Sequence, residues 1–236
     1  MYKIAQVVRF APGIGLDEGR QRWTGPHAEL AARIPGVQRY VQNYAWAALH
    51  LVGMDPDRRP AFDGYACVWF ADRASFTVAV ASAEWSAMAD DAATLFDPDL
   101  WPAMGAAVEE RLIVDGPTAD LKVMWFGRFP PDVRADSGRS RDASRYWTET
   151  HGRRHGVGVP GIGRYLQNHV VERLERGVDP GFDGFSEMWF EDEAAYRVMN
   201  GSSEWAEMND DAATLFDRDW IVGGWSAALE EHVVVG

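Results

Sequence analysis

Eight residues occur twice in this chain. Asp90-Asp91-Ala92-Ala93-Thr94-Leu95-Phe96-Asp97 returns letter for letter as Asp210-Asp211-Ala212-Ala213-Thr214-Leu215-Phe216-Asp217. The match spreads outward at the same offset: Glu84-Trp85 answers Glu204-Trp205, Met88 answers Met208, Trp69-Phe70 answers Trp189-Phe190, and Asp63-Gly64 answers Asp183-Gly184. A run of this length in register does not arise by chance, so the chain is two copies of one unit. We place them at residues 1–116 and 117–236, with Gly116-Pro117 as the linker.

Each copy reads as strand, helix, two strands, helix, strand. Residues 3–10 and 122–129 alternate loosely and end in Arg-Phe, as a first strand would. Leu16, Trp23, His27, Leu30 and Ile34 keep one face of a helix that Asp17 can cap and that Gly25-Pro26 should kink. Trp147, His151 and His155 form the matching stripe in the second copy, with residues 137–139 as a polar loop before it. Val37–Trp46 and Ile162–Val171 follow as second strands, sharing Arg-Tyr-x-Gln-Asn. The next loop is five residues longer in the first copy. Tyr65–Phe70 and Phe185–Phe190 are third strands, and helices begin near Asp72 and Asp192. The repeated acidic segment reads as a tucked loop whose carboxylates cap backbone donors.

That order is the split βαβ, ferredoxin-like unit, which leaves one sheet face bare. Two fused copies can cover each other's bare faces. Alternation in strand three fits: Ala66, Val68 and Phe70, with Ser186, Met188 and Phe190, suit the helix side. Tyr65, Cys67 and Trp69, with Phe185, Glu187 and Trp189, should face the other copy.

The totals exclude several partners. A net charge of −13 over 236 residues argues against nucleic acid and against an anionic membrane surface. No apolar run is long enough to span a bilayer. A single cysteine rules out a disulfide framework, and no signal-peptide pattern opens the chain, so a cytoplasmic location is expected. Eleven tryptophans are many for this length; Trp fills cores and also makes flat walls for aromatic ligands.

Trp-x-x-x-His before Pro-Gly, Arg-Tyr-x-Gln-Asn, Asp-Gly-x-x-x-x-Trp-Phe and a Glu-Trp helix resemble the EthD domain, twice over. The resemblance implies a dimeric α/β-barrel formed within one chain. It also implies a cavity between sheet and helices, lined by aromatics and a few polar groups. Related barrels include cofactor-free monooxygenases, muconolactone isomerases, polyketide cyclases and decarboxylases. In the family a Pro usually follows the His. Here Pro26 precedes His27, and the second copy has no Pro nearby.

Three residues are candidates for proton transfer. His27 and His151 recur on the buried stripe of the first helix, and a His near neutrality can act as acid or base. Glu187 is placed in a cavity between the two sheets, where lost hydration should raise its pKa and where it would serve one site together with His151. It and His169 single out the second copy, since Cys67 and Tyr44 replace them in the first. Candidate ligand contacts are Tyr40, Tyr165, Gln42, Gln167 and His169 on the second strands, Trp69 and Trp189 on the third, and Trp23 and Trp147 on the first helices. His151 and His155 have metal-ligand spacing, but no third ligand is evident, so no metal and no cofactor are expected. The expected function is a cofactor-independent enzyme on a small hydrophobic, aromatic or polyketide-like molecule. Its chemistry would be lyase, isomerase or cyclase proton transfer. The alternatives are a non-catalytic ligand-binding or accessory protein, and a cofactor-free monooxygenase. The internal pseudo-dimer leaves a further homodimer open.

Overall fold

A computed structural model describes residues 1–50, 53–55, 57–174 and 179–236. The first half runs β1 (Tyr2–Val8), α1 (Leu16–Arg22), a π-helical turn (Trp23–His27) and α2 (Ala28–Ala32). It continues through β2 (Val37–His50), the short β3 (Gly53–Asp55) and β4 (Gly64–Phe70). Helices α3 (Arg73–Val80) and α4 (Ala83–Leu95) lead to β5 (Gly105–Val114). The second half repeats this as β6 (Leu121–Gly127), α5 (Pro131–Arg134), α6 (Ser137–Tyr146) and a π-helical stretch (Trp147–His155). Strands β7 (Arg164–Arg173) and β8 (Gly184–Phe190) follow, then α7 (Glu193–Asn200), α8 (Ser203–Leu215), α9 (Arg218–Val222) and β9 (Ser226–Val235).

Eight antiparallel strands close into a barrel in the order β2, β4, β1, β5, β7, β8, β6, β9 and back to β2. The halves are therefore joined edge to edge, through β5–β7 and β2–β9, as well as face to face. Closure removes the four free edges that two separate sheets would expose, which is why the long second strands pair across the halves. The alternation expected for the third strands holds. Tyr65, Cys67, Trp69 and Phe185 point into a barrel filled with Val7, Met124 and Phe126. Ala66, Phe70, Met188 and Phe190 point out, toward the helices.

Local chemistry fixes the helix starts. Asp72 and Asp192 accept from the backbone N–H three residues on, and Ser82 and Ser202 do the same for Trp85 and Trp205. Such caps are worth about 1 kcal/mol each. Asp17 does not cap α1: Gly15 holds that position, and Asp17 lies in the first turn, where a carboxylate suits the helix dipole. Residues 137–139 are helical, because Asp136 accepts from Gly138 and Arg139. The Asp-Asp repeat is helical too. It forms the last turns of α4 and α8, which end at Leu95 and Leu215. Acidic residues near a helix C-terminus oppose the dipole, so sequence alone favours a loop; a tertiary contact described below offsets this.

The five extra residues of the first copy also have a role. Ala48 donates its N–H to Arg58 O (3.2 Å), and Ala61 to Gly224 O (2.9 Å). The loop thereby lies against the second half.

Candidate active site

Both halves place a tryptophan and a histidine four residues apart in π-helical geometry, Trp23 with His27 and Trp147 with His151. Pro26 does not dictate this, since the second stretch has no proline. Local π geometry often marks sites where side chains must be presented together. His27 Nδ1 lies 2.8 Å from Asp91 Oδ2, and His151 Nδ1 lies 2.8 Å from Asp211 Oδ2. The repeated acidic motif thus supplies a partner to each recurrent histidine. An ionised carboxylate can only accept, so Nδ1 carries the proton. Neither Nε2 has a hydrogen-bond partner among the described residues, and in a neutral ring it is a bare lone pair. Both imidazoles are buried, at 4% and 5% exposure. Burial lowers the pKa of His27 more than Asp91 raises it, so the ring is neutral at pH 7.

Each histidine lines a cavity between the outer sheet face and the helices. The first-half cavity holds about 410 Å³ and is walled by Trp23, His27, Tyr40, Phe70, Met88 and Phe96, among others. The second-half cavity holds about 430 Å³, with Trp147, His151, Ser186, Tyr196 and Phe216 in its wall. Each wall borrows from the opposite half: Leu174 enters the first, and Leu49 and Arg58 enter the second. Volumes of this size suit small organic ligands of two or three rings.

The remaining sequence candidates fall behind these walls. Gln42 Nε2 donates to Tyr40 Oη (2.8 Å) and to Trp23 O (2.9 Å). Gln167 Nε2 donates in the same way to Tyr165 Oη (2.8 Å) and Trp147 O (3.0 Å). The glutamines therefore brace the π turns that carry Trp and His. Tyr165 is fully buried and, unlike Tyr40, is absent from its cavity wall. His169 sits under the π stretch, with Nδ1 2.8 Å from Ser144 Oγ and Nε2 3.1 Å from Gln167 Oε1. Burial, helped by the Arg111 cation, pushes its pKa down to about 3, so it stays neutral.

Glu187 is a correction. It lies on the inner face of β8, as alternation requires, while the cavities lie on the outer face. Neither cavity wall includes it. Its carboxylate is 2.6 Å from Lys122 Nζ and 3.7 Å from Lys3 Nζ, and it accepts from Tyr65 Oη (2.6 Å) and Asn168 Nδ2 (2.9 Å). Burial pushes its pKa up, but the two ammonium groups and the hydrogen bonds outweigh it. The carboxyl is held well below its ordinary value, opposite to the expected direction. Sequence reasoning counted the desolvation and missed the lysines, which come from β1 and β6. Trp69 and Trp189 belong to the same interior, under the ammonium groups of Lys3 (4.7 Å) and Lys122 (4.8 Å). They do not reach either cavity.

Asp91 and Asp211 were legible as a repeat, though not as partners, since 64 and 60 residues separate them from their histidines. His155 Nε2 is 3.9 Å from Asp211 Oδ1, and Tyr146 Oη donates to the same oxygen (2.5 Å). Among the described residues no group of three or more His, Cys, Asp or Glu is placed to hold a metal ion. Among them, too, no helix is long and apolar enough to cross a membrane.

Comparison with known proteins agrees with this architecture. A "putative monooxygenase" of Fusobacterium nucleatum superposes with a TM-score of 0.50 at 9% identity, covering 99% of this chain and 92% of its own. Another "putative monooxygenase", from Lactobacillus acidophilus NCFM, gives 0.49 at 12% identity, covering 98% and 94%. At 9% identity the likeness to the Fusobacterium structure speaks for the fold alone. No protein of curated function matches the sequence. The family model of the EthD domain matches residues 11–99 and 139–219, well over half of the chain and both histidine-bearing helices, and the chain belongs to the EthD domain family.

Proposed function

We propose that this protein is an enzyme that moves protons on a small, largely apolar carbon acid or phenol without needing a cofactor. Residues 1–116 and 117–236 would be two ferredoxin-like copies, each with one cavity. The observation that carries the reading is the buried His–Asp pair facing an aromatic-walled cavity, present in both copies. Nε2 takes a proton from an acidic C–H or O–H of the ligand. The imidazolium that forms donates through Nδ1 to the carboxylate, which stabilises it and keeps the ring oriented. The same proton then returns at another atom, which gives isomerisation, or is followed by ring closure or loss of water or carbon dioxide. Low polarity strengthens each of these charge interactions. A purely accessory binding protein has no use for an oriented bare Nε2 in the cavity wall.

The test is hydrogen exchange on a bound probe. 1,3-Dihydroxynaphthalene has an acidic carbon position between its hydroxyls. In D₂O the protein should speed exchange at that carbon, read by proton NMR. The His27→Gln/His151→Gln double variant should lose ~10²–10⁴-fold of that acceleration while still folding. Equal acceleration by parent and double variant would remove the histidines from the chemistry. An oxygen electrode separates the monooxygenase alternative, which shares the first step and then consumes O₂.

A further inference from the structure

The two cavities keep the same histidine, tryptophan and phenylalanine but differ where the outer helices meet the ligand space. Phe76, Val80 and Ala89 in the first cavity correspond in the repeat to Tyr196, Asn200 and Asn209 in the second. On the sheet side, Ala66 corresponds to Ser186. These four changes run from apolar to polar and fall on residues that line the cavities, while on the first strands Gln6 gives way to Trp125 in the opposite direction.

The Tyr196 hydroxyl is the second observation. Tyr196 is 1% exposed, and its oxygen has no hydrogen-bond partner. Asn200 is near enough to influence it without closing a bond. A buried hydroxyl left unpaired is unfavourable, and such groups persist where a ligand or water completes them. Asn200 and Asn209 line the same cavity.

We infer that the second-half cavity is specific for an oxygenated ring system, a polyphenol or cyclised polyketone, whose oxygens are held by Tyr196, Asn200 and Asn209. The first-half cavity takes apolar rings and chains instead. Ligand oxygens bonded to the helix side leave the ring carbons lying against Trp147, beside His151. The fused chain thus holds two related sites with different ligand chemistry, which two identical subunits could not provide. This deepens the proposed function by naming the ligand class of one cavity.

Calorimetry on the whole chain tests it, with 1,3-dihydroxynaphthalene and naphthalene as matched probes. The parent should bind the dihydroxy probe at one strong site per chain, at least ten-fold tighter than naphthalene. Tyr196→Phe/Asn200→Val/Asn209→Ala gives the second cavity the helix-side residues of the first and should abolish that preference. Tyr196→Phe alone, which removes one oxygen atom, should weaken the dihydroxy probe several-fold and leave naphthalene unchanged. Equal preference in parent and both variants overturns the assignment. So does a dihydroxy preference that survives in the triple variant but is lost on blocking the first cavity with Ala31→Trp. Asp91→Asn/Asp211→Asn should keep the binding preference while slowing carbon exchange. A failed catalytic reading and a failed specificity reading thus give different results.

Discussion

Replacing Glu187 by glutamine tests the largest departure from expectation. The carboxylate sits between Lys122 (2.6 Å) and Lys3 (3.7 Å) inside the barrel, at 3% exposure, and also accepts from Tyr65 and Asn168. Removing one partner of a buried ion pair costs about 3–5 kcal/mol, because the charge left behind stays desolvated. Each lysine retains a second carboxylate here, Glu110 for Lys3 and Glu231 for Lys122, both at 2.8 Å. Those two are partly exposed, at 39% and 29%, so they screen the loss without cancelling it. We therefore expect the lower end, about 3 kcal/mol, which for a chain of this size lowers Tm by about 6–12 °C. The sign of the pH dependence provides a second readout. The folded pKa of Glu187 lies below its unfolded value, so its contribution is present above pH ~4.5 and is lost as pH falls below that. Glu187→Gln should flatten this part of the acid limb and leave the part above it unchanged. The Lys3→Met/Lys122→Met/Glu187→Met triple variant should be more stable than the single variant, since no buried charge is orphaned. Thermal and urea melts from pH 3 to pH 8 supply all three comparisons. A single variant within about 1 kcal/mol of the parent, with an unchanged acid limb, would refute the account of Glu187 as a charge-pairing hub.

Three further outcomes follow from other parts of the molecule. His27 and His169 both have folded pKa values below the unfolded one, so they add stability above pH ~6.5 that is lost as pH falls below it, in the case of His169 down toward about 3. His169→Asn should reduce the slope of stability against pH within that window, and an unaltered slope would place the titration elsewhere. Gly184→Ala should destabilise the second half: the new Cβ would meet Asn168 O at 2.3 Å and the Trp147 ring at 2.4 Å, both fixed by the strand and the cavity wall. Overpacking of this kind typically costs about 1–3 kcal/mol, and an alanine variant that melts with the parent would contradict it. Ser202→Ala removes the cap of α8 and should cost about 1 kcal/mol in a urea melt, with Ser82→Ala giving the same in α4.

The sequence by itself determined the duplication, the strand–helix order, the burial of the recurrent histidines and the two-sided pattern of the third strands. These features are local or periodic: side-chain alternation, capping residues and an exact internal repeat need no knowledge of the third dimension. It could also say that Glu187 turns inward. Only the tertiary structure decided what it meets there, because Lys3 and Lys122 arrive from β1 and β6, and their charges reverse the effect of desolvation. Long-range pairing likewise converted the Asp-Asp motif from a capped loop into the helix ends that hold His27 and His151. The acidic residues oppose the helix dipole locally and are compensated only across the packed layer. The shared strand edges that close the barrel were hidden for the same reason, as was the reach of the long first-copy loop over the second cavity. The specificity-determining residues were the least legible. Tyr196, Asn200 and Asn209 look like ordinary polar positions on an amphipathic helix. Packing against the sheet turns them toward a cavity, and comparison with Phe76, Val80 and Ala89 shows what changed between the two copies.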